Sequence, residues 1–265
     1  MYFNISLIKK SYDVNNIDKI SIIRKNTLKI SVNYQIELNE SPIMLFKQTE
    51  DFYNMLRKIN AFLMEKDVIT GSAFLIKKGI LTVDHLCDEI SKSIRKKEVF
   101  IENVLVNNIS KNFTKIEKMY FINSYIFKKY IIIKNFDKSK YKKLKNINFI
   151  KKDKNLDLCL IKNYFEEENY LSISKNKPKY LEKVYNFSYI NGFFKKNILP
   201  FSKGNFLGQN KKKFYYSLNV RKGSSGSPVF DKNLDIIGVI DSVYSKTNIS
   251  VGSNRLVLKD FVLKN

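Results

Sequence analysis

With two cysteines, one histidine and no long apolar run, this 265-residue chain has few chemistries open to it. A secreted protein of this length would carry several cysteine pairs, so Cys87 and Cys159 alone point to a reducing compartment and to two free thiols. Lysines and an aspartate interrupt Met1 to Asp13 where a signal peptide needs an unbroken apolar stretch, so no secretion signal is expected and the expected location is intracellular. No apolar run approaches the roughly 18 residues that suggest a membrane span. No Cys or His cluster has metal-ligand spacing and no internal repeat is visible, so neither a metal, another cofactor nor a repeat architecture is expected.

Negative charge is scarce as well: 48 Lys and Arg against 25 Asp and Glu leave a formal charge of +23. Clustered cations would point to nucleic acid or an anionic surface. Here the lysines are spread along the chain and dominate over Arg, and Ile and Asn are abundant, as codon bias in an AT-rich genome produces. A solvated basic surface is the main reading. Specific nucleic-acid binding is the lesser one, because bidentate phosphate and base contacts favour Arg.

The apolar pattern is mostly that of strands. Ile20 to Ile23 and Leu28 to Val32 read as short strands in the first segment, Tyr2 to Leu38. From Ser41 to Lys66 the period becomes helical, with Leu45, Phe52, Leu56, Ile59 and Leu63 on one face. Beyond Ile69, strands are expected at Gly71 to Ile76, Ile80 to Val83, Val99 to Val106, Tyr130 to Ile133, Leu158 to Ile161, Val184 to Ile190, Phe214 to Leu218, Val229 to Phe230 and Ile236 to Ile240. Lys138 to Lys154 reads as an exposed loop, and Arg255 to Leu263 as a short terminal helix. Many short strands with little helix between them make an all-β barrel or sandwich.

Three segments carry chemistry. Lys222-Gly223-Ser224-Ser225-Gly226-Ser227-Pro228 is a Gly/Ser turn leading into an apolar strand. Its glycines permit backbone conformations in which neighbouring N–H groups converge on one point, as a developing oxyanion requires; alone, it reads first as a flexible surface loop. A serine hydroxyl needs a base, and imidazole is the usual one. The single histidine, His85, closes the stretch Ile80 to His85.

Taken together, Gly71 to Ile76 followed by Leu81-Thr82-Val83-Asp84-His85, then Asn155-Leu156-Asp157-Leu158-Cys159-Leu160-Ile161, then Gly223-Ser224-Ser225-Gly226-Ser227-Pro228 resemble the motifs of trypsin-like serine proteases, in that family's order of His, Asp and Ser. Ile236 to Ile240 resembles the strand lining the substrate cleft, and Asn248 to Asn254 the strand and turn before the terminal helix. The likeness is nearest to compact Deg-type proteases and bacterial glutamyl endopeptidases, and it covers Ile69 to the C-terminus.

The resemblance implies two six-stranded antiparallel β-barrels, with residues 67–265 as the protease domain. It is silent on residues 1–66, an N-terminal β and helix extension that could complete the first barrel, form a separate small unit or act as a prosegment; the apolar stripe of its helix is expected to pack on the barrel. The resemblance also implies a serine endopeptidase acting on protein or peptide substrates without cofactor. Ser225 would attack, His85 would carry the proton, Asp157 would orient the imidazole, and the N–H groups of Gly223 and Ser225 would form the oxyanion hole. Asn219, Val220, Ile240, Asp241 and Ser242 would line the primary pocket. The other readings on this fold are a catalytically inactive scaffold and a basic nucleic-acid binder.

Departures from the pattern matter. Ser224 stands where animal digestive enzymes carry the aspartate that pairs with a freed N-terminus, so that route of activation is not expected. Ile240 stands where glutamyl endopeptidases carry a substrate-reading histidine. Asp84 is read as an exposed loop charge, the alternative being a perturbation of His85.

Overall fold

The computed structural model describes residues 14–38, 69–91, 125–136, 139–166, 168–190, 200–244 and 246–263. The expected helix of residues 41–66 and the expected strand Val99 to Val106 lie outside them.

The fold has two halves. The first is a seven-stranded antiparallel sheet built from β1 (Thr27–Leu38), β2 (Ile69–Ile76), β3 (Gly79–Thr82), β4 (Tyr125–Asn135), β5 (Tyr141–Leu144), β6 (Phe149–Asp153) and β7 (Leu158–Ile161), in the order β5-β4-β1-β2-β3-β7-β6. Its two edge strands, β5 and β6, are consecutive in the chain and joined only by residues 145–148. So short a connection spans at most roughly 17 Å, so the sheet must curl until its edges face each other across a seam. Lysines 142 and 143 on one edge and 151 and 152 on the other discourage further strand addition.

The second half is a closed barrel of β8 (Lys183–Phe187), β9 (Phe201–Gln209), β10 (Lys213–Tyr216), β11 (Pro228–Phe230), β12 (Ile236–Tyr244) and β13 (Ile249–Asn254), ordered β10-β13-β12-β11-β8-β9. Phe206, Phe214 and Tyr216 meet edge-on inside it, beside Val184, Val229, Ile237 and Ile240. A larger core fills the first half and continues into the contact between halves through Phe187, Phe230, Ile236 and Val239. The all-β architecture expected from the strand pattern is present, with the second half as the closed six-stranded barrel and the first as the curled sheet.

Among the described residues, three helices flank the sheets. α1 (Val14–Asn26) runs directly into β1, α2 covers residues 84–91, and α3 (Arg255–Leu263) closes the described chain. Among the described residues no helix is long and apolar enough to cross a membrane.

Two expectations are corrected. Ile20 to Ile23 belongs to α1 rather than to a strand. A run of isoleucines suits either period locally, but Ile20 and Ile23, three apart, share one helix face that packs on the core, and Asn26 fastens the end through bonds to the carbonyls of Ile22 and Asn169, both 2.9 Å. Within the Lys-rich segment, β5 and β6 are strands rather than loop. Their lysines keep charge in water while the stems pack, as where Lys151 lies over the Phe261 ring and donates to the Phe261 carbonyl at 3.2 Å. β9 was not foreseen: its Ser, Lys, Gly and Asn have little intrinsic strand preference, and pairing with β8 and β10 imposes the extended form.

Candidate active site

The Gly/Ser loop of the barrel lies against the first-half strands β2 and β3, the second of which leads to His85. β3 ends at Thr82, and after Val83 the chain turns at once into α2, so His85 sits in the first turn of a helix at the end of a buried strand. On the neighbouring strand β7, the turn of residues 154–157 delivers Asp157 in a left-handed conformation with φ 54°. Asp153 shapes that turn, its Oδ1 accepting the N–H groups of Asn155 (2.9 Å) and Leu156 (3.0 Å).

Two bonds join the pair. The backbone N–H of His85 donates to Asp157 Oδ1 at 2.9 Å, and Nδ1 of the ring lies 2.8 Å from Oδ2. An ionised carboxylate only accepts, so Nδ1 carries the proton and Nε2 of the neutral ring is left as a base. The hydrogen bond with Asp157 is the main influence raising the His85 pKa; burial opposes it, and the charges of Asp157, Glu89 and Asp241 reinforce it. For Asp157, burial pushes the carboxyl up, but the bonds from the His85 ring and backbone, with the charges of His85 and Lys213, hold it below the usual carboxylate range.

Asp84 is a correction. It is buried, not an exposed loop charge, and stands at the N-terminal end of α2, where the helix favours an anion. Lys152 of β6 meets it at 3.5 Å and also pairs with Asp88. The first-half sheet therefore supplies a cation that the local sequence around His85 does not.

The cysteines are the second correction. Cys87 and Cys159 are fully buried and joined as a disulfide, with Cα atoms 6.6 Å apart and a sequence separation of 72. Each lies two positions beyond one member of the His85–Asp157 pair, so the bond ties α2 to β7 directly behind that pair. Counting cysteines could not reveal this, because the pairing depends on strand order and not on number. The inference from cysteine scarcity to a reducing compartment loses its footing with it.

The Gly/Ser loop enters from the barrel as two consecutive tight turns. Ser224 N–H bonds the Arg221 carbonyl (2.9 Å) with Gly223 at φ 97°, and Ser227 N–H bonds the Ser224 carbonyl (2.9 Å) with Gly226 at φ 85°. Both have a left-handed glycine at the third position, the signature of a type II turn. Ser225 occupies the second position of the second turn. At Gly226 there is no room for a side chain, since a Cβ would overlap the Ser72 carbonyl and Thr82 Oγ1.

The loop is laced to both halves. Ser72 N–H donates to the Ser225 carbonyl (2.9 Å), Ser72 Oγ to the Gly223 carbonyl (2.8 Å), and Gly226 N–H to the Ile240 carbonyl (2.8 Å). Buried Ser224 shares a hydroxyl–hydroxyl bond with Ser188 at 3.0 Å, so the loop is anchored here without a charged partner. The N–H groups of Ser224, Gly226 and Ser227 are all used, whereas among the described residues no internal bond is formed by those of Gly223 or Ser225. Ser225 itself is half-buried, and its Oγ donates to the Asp241 carbonyl at 3.4 Å; no hydrogen bond joins it to His85.

Of the pocket residues, Asn219 and Ser242 are exposed while Val220, Ile240 and Asp241 are buried. Asp241 is already partnered, by Lys213 and by the Ser242 hydroxyl at 2.7 Å. Sequence reading missed Ser72, which lies inside a segment taken only as strand, and Lys213, one of three consecutive lysines with nothing local to distinguish it. Among the described residues no group of three or more His, Cys, Asp or Glu could hold a metal.

At the sequence level no protein-family model and no curated protein matches this chain. Solved structures do. A serine endoprotease from Yersinia pestis is similar with a TM-score of 0.55 and 10% identity over 94% of this chain, which spans 65% of that protein's length. The Rv3671c protease from M. tuberculosis in its active form is similar with a TM-score of 0.54 and 11% identity, covering 95% of this chain and 86% of the other. Such identities speak for architecture alone, and the architecture of this chain is the trypsin-like, two-half β fold of those serine proteases.

Proposed function

We propose that this chain is a serine endopeptidase that hydrolyses peptide bonds of protein or peptide substrates. The single observation that carries the reading is the His85–Asp157 pair, bonded twice and leaving a basic Nε2, in the half of the fold against which the double turn bearing Ser225 is laced through Ser72. In the reaction, the Ser225 hydroxyl adds to the scissile carbonyl while His85 takes its proton. The N–H groups of Gly223 and Ser225 receive the oxyanion, each donor contributing about 3 kcal/mol. The tetrahedral adduct collapses as His85 returns the proton to the departing amine, and water then hydrolyses the acyl-enzyme by the same route. Asp157 stays ionised throughout and favours the imidazolium.

The bond from Ser225 to the Asp241 carbonyl is long for an O–H donor, so exchanging it for one to His85 costs little. Catalytic hydrogen bonds are often unformed without substrate. That same missing bond is what the inactive-scaffold reading would cite. A fluorophosphonate probe separates the two: wild type should label, and Ser225→Ala and His85→Ala should not. Labelling that persists in Ser225→Ala, or folded wild type that never labels, would overturn the proposal.

A further inference from the structure

Lys213 begins β10 in the closed barrel, yet its ammonium reaches the other half. Nζ donates to the carbonyl of Leu156, the residue before Asp157, at 3.4 Å, and pairs with Asp241 Oδ2. The Lys213 side chain is 23% exposed and that of Asp241 only 7%, so each charge depends on the other for solvation. Asp241 in turn faces Ser225, whose Oγ donates to its carbonyl. A continuous set of contacts therefore runs from the Asp157 turn through Lys213 and Asp241 to Ser225, bridging the two halves.

We propose that Lys213 is a positioning residue: with Asp241 as its counter-ion, it clamps the Leu156 carbonyl and so holds the Asp157 turn of one half in register with the Ser225 loop of the other. The inference rests on the endopeptidase reading for its catalytic consequence, but its electrostatic consequence stands apart from activity. Three carboxylates act on His85: Asp157, Glu89 and Asp241. Lys213 offsets the last of these and also favours the ionised form of Asp157. Without Lys213, the uncompensated Asp241 charge would hold the His85 proton more tightly. Without the Asp241 charge, the bare ammonium would loosen it.

His85 is the only histidine in the chain, so its ring resonances in an NMR titration need no assignment. In full-length Ser225→Ala protein, adding Lys213→Met should move the His85 titration to higher pH and adding Asp241→Asn to lower pH, with the double replacement returning close to the starting curve. In the Ser225-containing protein, Lys213→Met should slow fluorophosphonate labelling about tenfold, and Lys213→Arg should recover part of that loss, since a small misplacement of a reacting group is enough to cost this much. Should Lys213→Met fail to fold, the Asp241→Asn and Lys213→Arg curves carry the test. Titrations that coincide for all folded variants, or a folded Lys213→Met protein labelled at the wild-type rate, would overturn the proposal. Opposite titration shifts in a protein that never labels would instead remove the endopeptidase reading and leave the Lys213 linkage standing.

Discussion

The two halves hold their contributions to the cleft by different means. In the first half, His85 and Asp157 are bonded to each other twice and backed by the Cys87–Cys159 disulfide, so the arrangement of this pair does not depend on a ligand. In the closed barrel, the loop bearing Ser225 is fixed through its backbone, by bonds to Ser72 and Ile240, while the hydroxyl itself has only a long bond to the Asp241 carbonyl. The difference is one of side-chain bonding: the His85 ring is held by its partner carboxylate, whereas the Ser225 hydroxyl is held only weakly.

The largest expected effect breaks the preformed side chemically while leaving it folded. Asp157→Asn replaces an acceptor with an amide that can donate to Nδ1, which favours the wrong tautomer. Labelling by the fluorophosphonate should fall by about 10⁴-fold. Stability should change by no more than about 1 kcal/mol, because the pair is too exposed to water to contribute much as an ion pair. A fall of less than tenfold would mean that Asp157 does not orient the base.

The disulfide should give the reverse profile. Closing a loop of this length restricts the unfolded chain by about 4 kcal/mol, so the Cys87→Ser/Cys159→Ser protein should lose roughly that much in urea unfolding. Its labelling rate should fall much less than that of Asp157→Asn, since both bonds between His85 and Asp157 survive without the sulfurs. If removing the disulfide slowed labelling as far as Asp157→Asn does, the covalent tie rather than the hydrogen bonds would be what aligns the pair.

The same contrast explains what could be read in the sequence. The buried strand leading to His85, the strand after Asp157 and the Gly/Ser turn at Ser225 are local features and were legible, as was α3 with its buried Leu258, Phe261 and Val262; the helix α2 that begins at Asp84 and the left-handed turn at Asp157 were not read from the sequence. What was illegible depends on partners distant in sequence. Asp84 was read as a surface charge because nothing near it announces Lys152, and the cysteines as thiols because only the β3–β7 pairing brings α2 beside β7. Ile20 to Ile23 looked like a strand until the sheet supplied a surface on which a helix face could pack. Lys213 is the extreme case, a cation in a lysine run whose two contacts, the Leu156 carbonyl of the other half and Asp241 on β12, both lie far away in sequence.

The smallest effect concerns the pH at which the preformed pair becomes a base. Its hydrogen bond with Asp157 and the charges of Asp157, Glu89 and Asp241 outweigh burial and raise the His85 pKa above the ordinary 6.5, so the acid limb of the labelling rate should lie above pH 6.5. The stability contribution runs the other way. Because the folded value exceeds the unfolded one, the His85 contribution is fully present below about pH 6.5 and is lost as pH rises through the raised value. For Asp157 the folded value is depressed below 3.8, so its contribution is present above that pH and is lost as pH falls through the lowered value. Labelling should thus grow over the same span in which the His85 contribution is lost, while that of Asp157 remains. Glu89 refines the point, since it lies one turn along α2 from His85 and is exposed to solvent. Glu89→Gln should move the acid limb slightly down, and the difference from wild type should vanish in high salt, where an exposed charge is screened. Comparing labelling rates for the two proteins across pH at low and high salt measures this directly, and an acid limb at or below pH 6.5 in wild type would show that burial, not the carboxylates, governs the histidine.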